Sequence, residues 1–162
     1  MNKELNYEEI MKKISEMKNG RDFDLSVEED LAIAVMNLIS LEEHFFFTGE
    51  KTEKSEYFDL LIEVRSLRTK LLAKMIDKTE GETWCISKHL LATTMRLFEV
   101  ATKLQASGKK EEAKDTFDEA FKMFNTFFAL RLKIVKVCPL KKDEGPMTMN
   151  DIMGKLVDCC KE

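Results

Sequence analysis

The stretch SVEEDLAIAVMNLISLEEHFFF, residues 26–47, predicts the central element of the fold. Ser26 stands three residues before Glu29, the spacing at which two side chains can cap the first backbone N–H groups of a helix. Apolar residues then recur at every third or fourth position, which is typical of the buried face of a helix. The residues of this predicted core face are Leu31, Ala34, Val35, Leu38, Leu41 and Phe45.

The same spacing predicts helices on both sides of this segment. The first follows a cap at Asn6 and ends near Gly20, and three more cover about residues 54–77, 83–106 and 109–137. The inward residues predicted for the helix at 83–106 are Ile86, Leu90, Leu97, Val100, Ala101 and Leu104. Pro139 cannot easily continue the last of these, because proline lacks the backbone N–H that a helix needs. A short amphipathic helix at about 148–161 then presents an apolar side that must dock on another surface.

Composition supports an all-α fold. The 162 residues are 44% hydrophobic and 35% charged, with only 6 glycines and 2 prolines. This balance suits long helices, and the length suits one domain with its own core. We therefore expect a single helical-bundle domain over residues 1–162. Its core, at about 26–137, is an antiparallel four-helix bundle, with additional N- and C-terminal helices.

Charge and hydropathy argue against two classes of partner. The net charge of −4 comes from 30 acidic and 26 basic residues that are interspersed, so no basic face for nucleic acid is predicted. The first 25 residues lack an apolar signal core, and no run approaches about 20 apolar residues, so no membrane association is expected. These features favour a cytoplasmic protein with reduced thiols. The adjacent Cys159 and Cys160 do not form a CxxC motif.

Four glutamates define a metal-binding hypothesis. Glu42, Glu63, Glu99 and Glu119 fall near one level of an up-down bundle, one on each long helix, as in ferritin-like carboxylate centres. His44 is a further candidate ligand. However, none of these glutamates has the histidine three residues later that such centres use. The alternative is structural: Arg65 and Arg96 lie near the same level and would pair with the glutamates. No bound cofactor is predicted.

The segment WCISKH, residues 84–89, raises an enzymatic hypothesis. Cys85 and His89 stand four residues apart on one helix face, which Arg96 and Glu99 continue. An imidazole beside a thiol is the arrangement that activates a cysteine nucleophile. Against this, no third residue can be identified that would orient His89. The two histidines cannot share an ion, because His44 and His89 would lie roughly 18 Å apart along parallel helices.

The aromatic residues favour a binding function. Trp84 and the runs FFFT and FNTFF, at residues 45–48 and 124–128, give their helices more apolar surface than one packing seam needs. Such an excess is typical of a homo-oligomer interface or of a groove for a partner's amphipathic helix. We therefore expect a binding protein that self-associates, with the metal-binding bundle and the thiol-dependent enzyme as alternatives.

Three resemblances accompany these patterns. ASGKKEEAKDTFDEAF, residues 106–121, resembles the turn and second helix of a tetratricopeptide repeat, which implies a tight helix-turn-helix. SLEEHFFF, EVRSLR and residues 81–104 resemble an uncharacterised family of small all-helical proteins from uncultured microbes with reduced genomes. That resemblance implies a helical fold and no particular activity. The chain also resembles helical nucleotidyl-RNase modules, but it lacks their signature because Arg96 follows His89 instead of preceding it.

Overall fold

The computed structural model of the protein describes residues 7–19, 24–135, 137 and 148–149. The predicted cap Asn6 and the cysteines Cys138, Cys159 and Cys160 lie outside the described residues. So does the predicted C-terminal helix at about 148–161, apart from its first two positions. These predictions, and the division into a core and a docking helix, therefore stay predictions.

The described residues form five α-helices and one short 3₁₀-helix, and they contain no strand. The α-helices are α1 (Tyr7–Asn19), α2 (Leu25–Thr52), α3 (Glu56–Leu72), α4 (Glu82–Ala106) and α5 (Lys110–Arg131), and the 3₁₀-helix is Lys78–Glu80. The predicted all-α fold with antiparallel packing is confirmed.

Two helical hairpins make up the bundle. α2 packs against α3, α4 packs against α5, and contacts between α2 and α4 join the two hairpins. Because each hairpin is antiparallel, α2 and α4 run parallel and both hairpin turns lie at the same end of the molecule. We refer to residues 40–67 and 96–121 as the turn end, and to the opposite half of the bundle as the core end.

The hydrophobic core lies in the core end. Its members come from the N-terminal halves of α2 and α4, the C-terminal end of α3 and the loop after it, and the C-terminal half of α5. The buried residues of this cluster are Ala32, Val35, Met36, Leu72, Met75, Ile76, Trp84, Cys85, Leu91 and Phe127. Burial of such side chains stabilises the fold by about 1.5–3 kcal/mol for each large residue. This is the part of the bundle in which all four long helices meet.

Local backbone chemistry sets the helix ends. The cap of α2 is Asp24, whose carboxylate accepts a hydrogen bond from the Ser26 N–H at 2.9 Å, so the predicted Ser26 cap is wrong by two residues. The turn between α4 and α5 uses Gly108 with φ of 81°. Only glycine adopts this left-handed conformation without strain, which allows the tight reversal.

Two helices end earlier than their apolar patterns predict. α3 ends at Leu72, and the following Met75 and Ile76 turn back into the core through N–H bonds to the Leu72 carbonyl. α5 ends at Arg131, since Lys133 adopts a left-handed φ of 55° that breaks the helix. In both cases the apolar residues beyond the end contribute to packing without continuing the helix.

On α2 and α4, some buried residues lie one position along the sequence from the residues that were predicted to be buried. Leu41 and Val100 are exposed, although both were expected in the core, whereas Ala32 and Leu91 are fully buried. Consecutive helix residues are 100° apart, so a stripe assigned from periodicity can be rotated by one position when residues on both sides of it are apolar.

Candidate functional site

Glu42 lies in an ionic cluster with Arg65 and Arg68, and its pair with Arg68 is the most buried ion pair that the described residues show. Glu42 lies on α2 facing α3, where Arg65 Nε donates to its Oε2 at 2.9 Å and Arg68 Nε donates to its Oε1 at 2.6 Å. The Arg68 side chain is 2% exposed and that of Arg65 is 50% exposed. The predicted pairing of Glu42 with Arg65 is confirmed, and Arg68 is the closer and more buried partner. This arrangement fixes the register of α2 on α3.

The proposed metal ligands do not converge. Glu63 and Glu119 are exposed on α3 and α5, and Glu42 is held by its two arginines. Within the described ranges, no group of three or more His, Cys, Asp or Glu side chains has the proximity to hold a metal ion. The four glutamates that the sequence predicts at one level of the bundle are therefore not brought together at one site.

A shallow groove between α2 and α4 brings other candidates together. His44, Arg96 and Glu99 line this groove of about 350 Å³, together with the apolar side chains of Leu41 and Phe47. Arg96 is engaged within the protein, since it donates to Ser40 Oγ at 3.0 Å and pairs with the Glu43 carboxylate at 3.4 Å. The groove thus resembles a solvated interhelical seam more than a site for chemistry.

Cys85 and His89 lie in different environments. Cys85 is 1% exposed and belongs to the hydrophobic core, whereas His89 is exposed on the surface of α4. A reactive cysteine needs access for its substrate, and the surrounding side chains deny it here. Sequence spacing places both residues on neighbouring turns but cannot show that one points inward and the other outward.

Trp84 and Ser87 continue the buried side of this segment. Both are fully buried one turn apart on α4, and neither Trp84 Nε1 nor Ser87 Oγ has a hydrogen-bond partner among the described residues. Each unsatisfied polar atom costs about 1–3 kcal/mol. The WCISKH segment is therefore mainly a core element that includes imperfectly satisfied polar groups.

The turn end carries apolar residues that continue the core. Seven residues are almost two helical turns, so residues seven apart lie on the same face of a helix. Three pairs lead in this way to the turn end from the core cluster or from the partly buried residues packed against it: Leu91 and Phe98, Ile39 and Phe46, and Phe128 and Phe121. On α3, Leu67 and Leu60 precede the core residue Leu71 by four and eleven residues. We call Phe46, Leu60, Leu67, Phe98 and Phe121 the apolar columns.

The apolar columns are uncovered although they extend the core faces of all four helices. Phe46 is 45% exposed, Phe98 is 48% exposed and Phe121 is 65% exposed. Phe98 contacts Phe117 within its own hairpin, with ring centroids 6.0 Å apart. Phe46 contacts the adjacent Phe47, also within its own hairpin. Of the aromatic residues from which the sequence predicted an apolar excess, Phe46 and Phe47 are exposed, whereas Trp84 and Phe127 are fully buried.

One described helix is long and apolar enough to cross a membrane, judged by length and composition alone. It is α2, and the expectation of no membrane association stays a prediction. Core helices of soluble proteins meet the same criterion, and α2 packs against both α3 and α4. The cytoplasmic location stays a prediction.

Comparison with known proteins gives no relative: no protein-family model, curated protein or solved structure matches this chain. The family resemblances inferred from the sequence therefore stay predictions. The tight helix-turn-helix that the tetratricopeptide-like residues 106–121 imply is present where α4 is followed by α5, and Ala113 and Ala120 are buried there. Any functional assignment has to rest on the surface of this bundle.

Proposed function

We propose that the protein is an interaction module that binds another polypeptide through the apolar columns at the turn end. The observation that carries this proposal is the exposure of large apolar residues, one or more on each long helix, in line with the buried core. On soluble proteins, groups of exposed large apolar residues often mark interaction sites. An occupant would complete the bundle by extending its core across the turn end.

The surroundings of the candidate catalytic residues favour a binding function over catalysis. Cys85 is enclosed in the core, and Arg96 is held by Ser40 and Glu43. An interaction module needs no such groups, because apolar burial at about 25 cal/mol per Å² supplies most of the binding free energy. Two occupants fit this chemistry: a second copy of the chain, which would make the protein a homo-oligomer, and the amphipathic helix of a different protein.

The test combines native mass spectrometry of the purified protein with titration of an uncharged probe. The probe is a hydrocarbon-stapled helix of about 14 residues, roughly 21 Å long, with leucine on one face and glutamine on the other. We expect either dimers or a 1:1 complex with the probe. A protein that is monomeric and also ignores the probe would contradict the proposed function.

A matched pair of variants localises the binding. Phe46 and Ile33 lie on the same helix and are similarly exposed, at 45% and 42%, but Ile33 lies outside the turn end. Phe46→Gln should weaken probe binding or dimerisation about tenfold or more, whereas Ile33→Gln should leave it nearly unchanged. Equal effects of the two substitutions would show that the binding surface is not the apolar columns. Circular dichroism of both variants verifies that the helices are retained.

A further inference from the structure

We infer that the occupant of the apolar columns is a basic amphipathic helix from another protein. This inference rests on the proposed function and adds the charge of the partner. The apolar columns supply a surface for the apolar face of such a helix, and the side chains around them supply complementary charge. Charge is distributed unevenly along the bundle.

The turn end carries the whole negative charge of the protein. In residues 40–67 and 96–121, together with Arg68, which pairs with Glu42, acidic residues outnumber basic ones by thirteen to nine, an excess of four. The net charge of the entire chain is −4, so the remaining residues are neutral in sum. Negative charge is therefore concentrated in the half of the bundle that carries the apolar columns. Such a field attracts a cationic partner and repels an anionic one.

Acidic side chains also border the apolar columns directly. Glu50 stands four residues after Phe46, and Glu56 stands four residues before Leu60. Glu63 lies three residues after Leu60 and four before the next column residue, so it shares their flank of α3. Glu50, Glu56 and Glu63 are all exposed. Lysine or arginine residues beside the apolar stripe of a bound helix would meet these carboxylates at the rim of the contact.

A second copy of the chain fits this surface poorly. Docking two turn ends would bring together two surfaces with the same acidic excess, and like charges at an interface oppose association. The C-terminal sequence of the chain is no better match, because residues 141–162 include five acidic and four basic residues. An anionic membrane surface would be repelled for the same reason. A cationic helix satisfies both the apolar and the electrostatic requirement.

The test uses two stapled helices that differ only in charge. Both have the leucine face and length of the uncharged probe, and the flanking positions are lysine in one and glutamate in the other. Fluorescence anisotropy of labelled peptides measures their dissociation constants for the full-length protein. We expect the lysine helix to bind at least about tenfold more tightly than the glutamate helix. Raising the salt from about 0.05 to about 0.5 M should reduce this preference, because salt screens exposed charges.

Two triple variants locate the electrostatic contribution. Glu50→Gln, Glu56→Gln and Glu63→Gln together should remove most of the preference for the lysine helix. The matched control is Glu16→Gln, Glu29→Gln and Asp30→Asn, which removes the same charge from exposed positions outside the turn end. It should retain the preference. All six positions are exposed, so neither variant should unfold the bundle.

The outcomes separate the inference from the proposed function. Equal binding of the lysine and glutamate helices would overturn the basic partner but leave the apolar interaction module in place. Dimerisation that Phe46→Gln abolishes, with no binding of either peptide, would likewise overturn the inference alone. A monomer that binds no probe would overturn both. If the control triple variant also loses the preference for the lysine helix, the preference comes from nonspecific charge attraction. That outcome also contradicts the inference.

Discussion

At the scale of single residues, three polar or ionisable side chains of the candidate sites are buried: those of Glu42, Arg68 and Cys85. The Glu42 carboxylate on α2 accepts hydrogen bonds from two arginines of α3. Taking charges out of water is costly, and a buried pair is tolerated only when its hydrogen bonds are satisfied. Arg68 is buried and Arg65 is half exposed, so their pairs with Glu42 should contribute different amounts to the free energy of unfolding.

Glu42→Ala should destabilise the protein by about 3–5 kcal/mol, because it leaves the buried Arg68 guanidinium without its carboxylate. Arg65→Ala should cost only about 0–1 kcal/mol, since half of the Arg65 side chain is in water. Urea denaturation followed by circular dichroism measures both free energies of unfolding. A larger loss for Arg65→Ala than for Glu42→Ala would show that the ionic cluster is held differently.

Cys85 should react slowly with iodoacetamide near neutral pH, because its side chain is 1% exposed and the reagent must wait for local opening of the core. Peptide mass spectrometry over time gives the rate. The same rate is expected in His89→Ala, since His89 faces solvent. Fast alkylation that depends on His89 would restore the enzymatic hypothesis for this pair.

At the scale of elements, close approach of α2 and α3 depends on a missing side chain. Gly49 is buried in α2, and a Cβ atom at this position would lie 2.8 Å from the ring of Phe58 on α3. Glycine inside a helix costs about 0.5–1 kcal/mol relative to alanine. Glycine at position 49 therefore lowers the helix propensity of α2 but allows α2 and α3 to approach closely.

Gly49→Ala should destabilise the native protein by about 1 kcal/mol, since overpacking against Phe58 exceeds the gain in helix propensity. In a Phe58→Ala background the same substitution should become stabilising by up to about 1 kcal/mol. Thermal denaturation of the four proteins in this cycle measures both effects. The same sign in both backgrounds would mean that the helices adjust to the methyl group without strain.

The elements were largely predictable from the sequence, whereas the site was not. Turn residues such as Gly108 and the spacing of apolar residues act locally, so five helices and their antiparallel order followed from them. The inward face of each helix depended on its neighbours, which explains why Leu41 and Val100 were wrongly placed in the core. Sequence spacing also could not choose between Arg65 and Arg68 as the main partner of Glu42, because both lie within reach of the same level of α2.

At the scale of the whole molecule, stability is concentrated at the core end. The core cluster unites α2, α3, α4 and α5 there, and a bidentate pair between Glu28 and Arg131, at 2.6 and 2.9 Å, joins the start of α2 to the end of α5. At the turn end, Arg96 of α4 contacts Ser40 and Glu43 of α2, whereas the ring contacts of Phe46 and Phe98 lie within their own hairpins. The exposure of the apolar columns depends on this assembly, and no local segment could have revealed it.

Backbone amides of residues 32–39 and 84–95 should exchange with deuterium at least about tenfold more slowly than those of residues 44–52 and 98–106. The reason is that the first two ranges lie in the shared core, and the others in separate hairpins. Native-state hydrogen exchange with mass spectrometry measures this difference. Uniform protection along α2 and α4 would show that the turn end is as firmly closed as the core end.

Because the shared core is confined to one half of the bundle, a rotation of one hairpin relative to the other would take place about the core end. The core end acts as the pivot, and about 13 residues of helix beyond it form a lever arm of roughly 20 Å. A rotation of only about 10° at the pivot would move the tip of such an arm by roughly 3.5 Å, and it would separate Arg96 of α4 from Ser40 and Glu43 of α2. Opening of the turn end around a bound helix would therefore be opposed by these polar contacts and not by the core.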